Sequence, residues 1–181
     1  LRVNTQKIRS LEGAFFIQDE WNPSPLFSAN IGTRFYYFES GKYFNVEPRL
    51  SASYRVNESI TLKASYAVAH QFLHLIIRND ISLPTDIWFP STETVLLSRC
   101  IQYVLGVETR LFDQEFLFSV ETYYKDYRNL YEYRDRARFG LGAPLESQFT
   151  TGRVEAYGVE FFLNKQLGSF TGWAGYTLAW T

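Results

Sequence analysis

The sequence predicts an all-β fold: an antiparallel transmembrane β-barrel segment of about eight meandering strands. Three observations predict it. Apolar and polar residues alternate with a period of two along most of the chain, as a strand with two different faces requires. Short and long connections between the alternating stretches take turns. Aromatic residues are abundant: 16 Phe, 13 Tyr and 4 Trp make up 18% of the 181 residues.

The first strand, residues 14–21, fits least well, because placing Phe15, Ile17 and Trp21 on an apolar face also places Asp19 there. Either a nearby turn makes that charge cheap or a bulge rotates it away. The second strand is the clearest. Phe27, Ala29, Ile31, Thr33, Phe35 and Tyr37 share one face, opposed by Ser28, Asn30, Gly32 and Arg34. In the third, Pro48, Leu50, Ala52, Tyr54 and Val56 oppose Glu47, Arg49, Ser51, Ser53 and Arg55. The fourth sets Ile60, Leu62, Ala64, Tyr66 and Val68 against Thr61, Lys63 and Ser65. The fifth has Ile101, Tyr103, Leu105, Val107 and Leu111 as its apolar set, and the sixth Phe116, Phe118, Val120, Thr122 and Tyr124. The seventh has Tyr157, Val159, Phe161 and Leu163. The Gly-rich eighth, 170–180, has Ala174, Tyr176, Leu178 and Trp180.

Four links read as tight: 22–25, 57–59, 113–114 and 166–169. Between them fall links that read as long: 38–45, 70–98 and 128–152. In outer-membrane barrels short turns face the periplasm and long loops face outside. Strand one therefore runs down and strand eight runs back up. Aromatics gather at strand ends, with Trp21 and Phe27 flanking one turn and Phe112 and Phe116 another. Phe35 and Tyr37 lie at the far end of their strand. These six are the expected membrane girdle.

Composition narrows the alternatives. With 18 Lys+Arg against 19 Asp+Glu, the chain lacks the basic balance of a nucleic-acid binder. The single Cys100 makes no internal disulfide. The longest charge-free stretch, 166–181, is interrupted by Gly, Ser, Thr and Gln and is no spanning helix. With no Met and no apolar leader, the chain reads as an internal or processed piece.

Several stretches resemble the barrel of TonB-dependent receptors, particularly those of the Bacteroidetes type. They are Phe16-Ile17-Gln18-Asp19-Glu20-Trp21, Glu47-Pro48-Arg49-Leu50-Ser51, Leu62-Lys63-Ala64-Ser65-Tyr66 and Leu83-Pro84-Thr85-Asp86-Ile87-Trp88. Tyr123-Tyr124-Lys125-Asp126, Ala156-Tyr157-Gly158-Val159-Glu160 and Gly172-Trp173-Ala174-Gly175-Tyr176-Thr177-Leu178 complete the ordered set. The resemblance implies that residues 1–181 are part of a 22-stranded barrel whose remaining strands and plug domain lie elsewhere. It further implies the outer membrane of a Gram-negative bacterium and active import of a scarce nutrient: a siderophore, vitamin, sugar or peptide. Implied partners are the TonB energy-transducing complex (through a missing N-terminal region), outer-membrane lipid, a small-molecule or oligomeric ligand, and a surface lipoprotein. No nucleic acid and no cofactor is implied.

Candidate chemistry is sparse. His70 and His74 have the i, i+4 spacing of a zinc motif, but Gln71 replaces the glutamate base. They open a long loop, with a short helix through 73–77 as one conformation, and ordinary loop contacts are the simpler reading. Charges on the inward faces (Glu47, Arg49, Arg55, Lys63, Glu108, Arg110, Glu121, Lys125, Glu160) read as a polar lumen with cross-strand pairs, not as catalytic groups. The loops are the better candidates for ligand binding. His70, Phe72, His74, Arg78, Asp86 and Trp88 lie in the first, beside Asp80 and Phe89. Tyr131, Arg134 and Arg136 lie in the second, beside Tyr127, Arg128, Tyr133 and Arg138. Aromatic faces with arginines hold planar, sugar-like or anionic ligands, and the same residues also suit loops that pack on one another. Arg134, Arg136 and Arg138, with Asp135 among them, equally suit lipopolysaccharide phosphates. Two other functions stay open: a self-contained eight-stranded barrel with a structural or adhesive role, and an outer-membrane enzyme, which needs a Ser/His or Asp/His partner set.

Overall fold

The period-two alternation becomes a ladder of antiparallel pairs. The computed structural model describes residues 9–76, 87–134 and 144–181. Its main sheet contains β1 (Glu12–Ser24), β2 (Phe27–Phe38), β3 (Tyr43–Arg55), β4 (Ile60–Gln71), β7 (Ser98–Leu111), β8 (Phe116–Tyr133), β9 (Phe149–Lys165) and β10 (Gly172–Trp180). Their order is β1-β2-β3-β4-β7-β8-β9-β10, so each strand pairs with its neighbour in sequence. The sheet does not close on itself: β1 and β10 each keep one edge unpaired among the described residues. A small second sheet pairs β5 (Leu73–Ile76) with β6 (Ile87–Pro90) inside the longest connection.

The register turns eight alternating strands into two continuous faces. One row runs Trp21, Ala29, Ala52, Ala64, Leu105, Thr122, Val159 and Leu178, each opposite the next. The neighbouring row on that face runs Asp19, Ile31, Leu50, Tyr66, Tyr103, Tyr124, Tyr157 and Trp180. Side chains of this face stand open: Phe15 is 66% exposed, Leu105 61% and Tyr176 61%. Water penalises so much apolar surface, whereas a hydrocarbon bilayer accepts it. The other face is knitted by polar contacts, among them Gln18 Nε2 donating to Asn30 Oδ1 at 2.9 Å and a Lys63–Glu108 ion pair at 2.5 Å. Large side chains there lie over glycines, with Glu121 opposite Gly106 and Tyr123 opposite Gly158. A Cβ on Gly158 would stand 2.6 Å from the Leu178 carbonyl oxygen and 2.8 Å from Tyr123 Oη.

Three expectations need correction. The 38–45 link is not long: β2 and β3 stay paired up to Phe38 and Tyr43, leaving only residues 39–42 to turn. Lys42 takes a left-handed φ of 55° to make that turn. The alternation of short and long links therefore fails there, although 72–97 and 134–148 do emerge at the same end. Second, residues 73–76 are a strand, not a helix, with Leu73 and Leu75 exposed while His74 and Ile76 are buried. Period-two burial wins because β6 offers them a partner. Third, β8 runs on to Tyr133, so Tyr127, Arg128 and Tyr131 are strand residues rather than loop residues.

Asp19 keeps its phase. The irregularity between β1 and β2 falls between Trp21 and Ser24, on the turn side of Asp19, and does not rotate it off the apolar face. The only helix among the described residues is a 3-10 turn, Leu145–Gln148; no helix is long or apolar enough to cross a membrane.

Two substitutions probe the faces. Leu105→Arg, in the middle of the apolar face, should cost about 2–4 kcal/mol of folding stability in bilayers. Ser119→Arg, opposite Glu108 on the polar face, should cost less than about 1 kcal/mol, and urea unfolding into vesicles measures both. Gly158→Ala should cost about 1–3 kcal/mol by overpacking against Tyr123 and Leu178. Gly13→Ala, whose Cβ meets nothing within 4 Å, is the control.

Candidate functional site

The site is built where the strands outgrow the sheet, at the end carrying the long connections. Pro48 begins the departure. It has no N–H to donate, and pairing between β3 and β4 ends at Arg49 and Ala67. The carboxylate of buried Glu47 takes over: Oε1 accepts from the backbone N–H of His70 at 2.8 Å and lies 3.3 Å from its Nδ1.

Past His70 the chain doubles back as the β5–β6 hairpin. Ile76, Phe89 and Val95 pack with Tyr133 and Phe149 from the tips of β8 and β9 into a small buried core. The Phe89 and Phe149 rings meet edge to face at 5.2 Å. On the other flank Phe72 stacks on Tyr36 at 5.0 Å and meets the Phe38 ring at a tilt, 4.7 Å away. Tyr43 Oη donates to the Thr92 carbonyl at 2.7 Å, and Lys42 pairs with Glu93, tying the β2–β3 tip to the same segment. The long connection is thus anchored on both sides.

His74 is the polar centre of this anchor. Its Nε2 lies 2.8 Å from Ser91 Oγ and its Nδ1 3.2 Å from Ser98 Oγ. Ser98 spends its proton on the Asn129 carbonyl at 2.5 Å. It must therefore accept from Nδ1–H, and Nε2 must accept from Ser91. Burial holds the imidazole neutral, pushing its pKa from 6.5 down to about 4. A Ser–His contact suggests hydrolysis, but Ser91 is 0% exposed and among the described residues no carboxylate orients the ring. The geometry is that of a packing lock.

The expected ligand residues therefore divide. His70, Phe72, His74 and Tyr131 are engaged within the fold, Tyr131 against the His74 ring at 4.8 Å. His70 and His74 belong to separate clusters and do not converge. Among the described residues no group of three or more His, Cys, Asp or Glu could hold a metal ion. Trp88 is 62% exposed, and exposed Arg134 donates through Nε to the Phe149 carbonyl at 2.8 Å. Arg78, Asp86 and Arg136 lie outside the described residues. Sequence reading missed Glu47, Ser91 and Ser98 as tip-forming residues. Pro48 was the only local signal for the first, and the two serines had none.

The TonB-dependent receptor-like β-barrel family model matches residues 2–181. The chain belongs to the TonB-dependent receptor family. The receptor chain shares its fold with the siderophore receptor PirA of Pseudomonas aeruginosa, at 17% identity and a TM-score of 0.65 over 94% of this chain. The alcaligin outer-membrane receptor FauA of Bordetella pertussis gives 13% and 0.60, and the FrpB iron transporter of Neisseria meningitidis 12% and 0.64, again over 94% of this chain. The chain spans 34%, 30% and 25% of those three proteins, about a third or less of each. No curated protein matches it by sequence. Membership places this receptor segment in the outer membrane of a Gram-negative bacterium.

The His74 lock predicts a pH dependence. Its folded pKa is lowered, so both packed and open forms are neutral above pH 6.5 and the lock is at full strength there. As pH falls from 6.5 towards 4 only the open form takes up a proton, so the hairpin loosens progressively, with the loss complete below about 4. Hydrogen exchange of Leu73–Ile76 amides, corrected for intrinsic rate, should show this fall in protection, and His74→Asn should abolish the pH dependence.

Proposed function

We propose that this chain is a stretch of barrel wall in a receptor that actively imports a scarce nutrient, with the strand tips contributing to ligand capture. The observation that carries the reading is the pairing of an apolar face and a polar face over eight strands with long connections at one end, in a chain of this family. The rest of the wall, the plug and the contacts with the TonB complex belong to sequence beyond these residues.

The aromatic side chains support a membrane position. Tyr103, Tyr124, Tyr157 and Trp180 form a row across four adjacent strands, a feature of the register. Phe112 packs edge to face on Phe116 at 5.6 Å beside one turn, and Trp21 on Phe27 at 5.7 Å beside another. From Phe112 to Tyr103, at a rise of about 3.4 Å per residue and a tilt of about 40°, is about 23 Å along the membrane normal. That is close to the apolar band of about 25 Å, so the two aromatic levels bracket the hydrocarbon. On β2, Phe35 and Tyr37 lie four and six residues beyond Ile31 of that row, towards the long connections.

For the ligand, the solved structures sharing this fold are described as siderophore, alcaligin and iron receptors, which makes a ferric chelate the first class to test. Trp88 and Arg134 supply an open indole face and a guanidinium for such an anionic chelate. The test is uptake of radiolabelled ferric chelates by cells whose receptor is deleted and replaced by the full-length protein. Uptake should require both the receptor and TonB. Trp88→Ala with Arg134→Ala should weaken binding about tenfold or more while leaving the barrel heat-modifiable. Uptake that persists without TonB would overturn the transport reading, and unchanged affinity would remove the two residues from the ligand site.

A further inference from the structure

We propose that Arg99 and Arg128 form a binding site on the outer wall for the phosphorylated headgroup of an outer-leaflet lipid. This goes beyond nutrient import and uses neither Trp88 nor Arg134.

The register carries the inference. Arg99 lies opposite Arg128, and Arg128 opposite Arg153, so three guanidiniums cross β7, β8 and β9 in one row. By strand alternation they share the face of Tyr103, Tyr124 and Tyr157. Each arginine is four residues further from its turn than the tyrosine of its own strand. At about 3.4 Å per residue and about 40° of tilt, the row stands about 10 Å beyond the aromatic level, where lipid phosphates lie.

Directly opposed like charges destabilise a sheet, and arginine does not escape by losing its proton. An anion between them removes the conflict. Between Arg128 and Arg153 the protein supplies one: Asp126, 7% exposed, accepts from Nε of Arg128 at 3.0 Å and from Nε of Arg153 at 2.9 Å. Glu155 meets Nη2 of Arg153 at 2.7 Å. Between Arg99 and Arg128 it supplies none; Arg99 makes no ion pair or side-chain hydrogen bond among the described residues. Asp126 engages Arg128 through Nε, so the Nη donors of Arg128 remain for a second acceptor beside Arg99. His70, next along the row opposite Arg99, turns its ring to Glu47 and offers the anion no competition. A phosphate suits this gap, because paired guanidinium forks match its oxygens. The tyrosines below hold the lipid's glycerol or sugar region at the right depth.

The test uses the full-length receptor in detergent, titrated with mixed micelles carrying bisphosphorylated lipid A, and in parallel with the dephosphorylated lipid and with inorganic phosphate. The receptor should prefer the phosphorylated micelles, and added salt should weaken the preference. Arg99→Gln, which removes no contact of the fold, should lower affinity several-fold, and Arg99→Gln with Arg128→Gln about tenfold or more. Arg110→Gln, near a turn on the other face, should change nothing. Equal affinity of Arg99→Gln and the parent for phosphorylated micelles would overturn the proposal. So would inorganic phosphate competing as well as the lipid, since the site would then be a simple anion pocket. Failure of the double variant to fold leaves the single variant as the deciding measurement.

Discussion

Everything in this chain depends on one constraint: backbone N–H and C=O groups in hydrocarbon have no water to bond and must bond each other. A strand meets that demand only through its neighbours, so the eight strands form an unbroken ladder from β1 to β10. Once the ladder exists, register and pleat decide the rest. Each side chain is committed to one face, and a slip of a single residue would turn the lipid surface into the polar one. The rows of tyrosines and arginines, the lysine–glutamate pair and the rings over glycines all follow from that commitment.

Where the strands leave the bilayer the demand relaxes, and the chain begins to differ from an ideal ladder. Pro48 ends one set of ladder bonds and Glu47 substitutes a carboxylate for the lost partner. An extra residue enters β8 between Arg128 and Leu130, with Asn129 at a φ of 56°. Its carbonyl and side-chain amide then anchor Ser98 and Leu97 of the incoming strand. These departures let a two-stranded hairpin lodge against the tips and bury a small apolar core there. A polar lock at its centre works because each hydroxyl and ring nitrogen has one assignable role.

The strands were legible because their signal is local. Alternation at Phe27–Tyr37 or Phe116–Tyr124 needs no knowledge of the partner strand, and a strand with one wet face and one apolar face must repeat every second residue. Glycines 106 and 158 were visible as residues but not as platforms, because their reason is a side chain on the next strand. The short 39–42 turn was misjudged because pairing extends one or two residues beyond where the alternation is clear. The helical reading of 73–77 failed for a related reason: its partner lies beyond an intervening stretch of sequence.

By itself the sequence determined the all-β class, the antiparallel meander, the membrane face of each strand and the family resemblance, all carried by residues close together in the chain. Only the tertiary structure decided which of those residues stand beside one another. Arg99, Arg128 and Arg153 are scattered in sequence and become a row only through register. His74, Ser91 and Ser98 become a lock, and two expected ligand aromatics, Phe72 and Tyr131, become packing residues, only when the hairpin docks. The physical reason is the same in each case: cross-strand distance is set by hydrogen-bond pairing between segments, and a linear pattern does not encode which residues that pairing brings within reach.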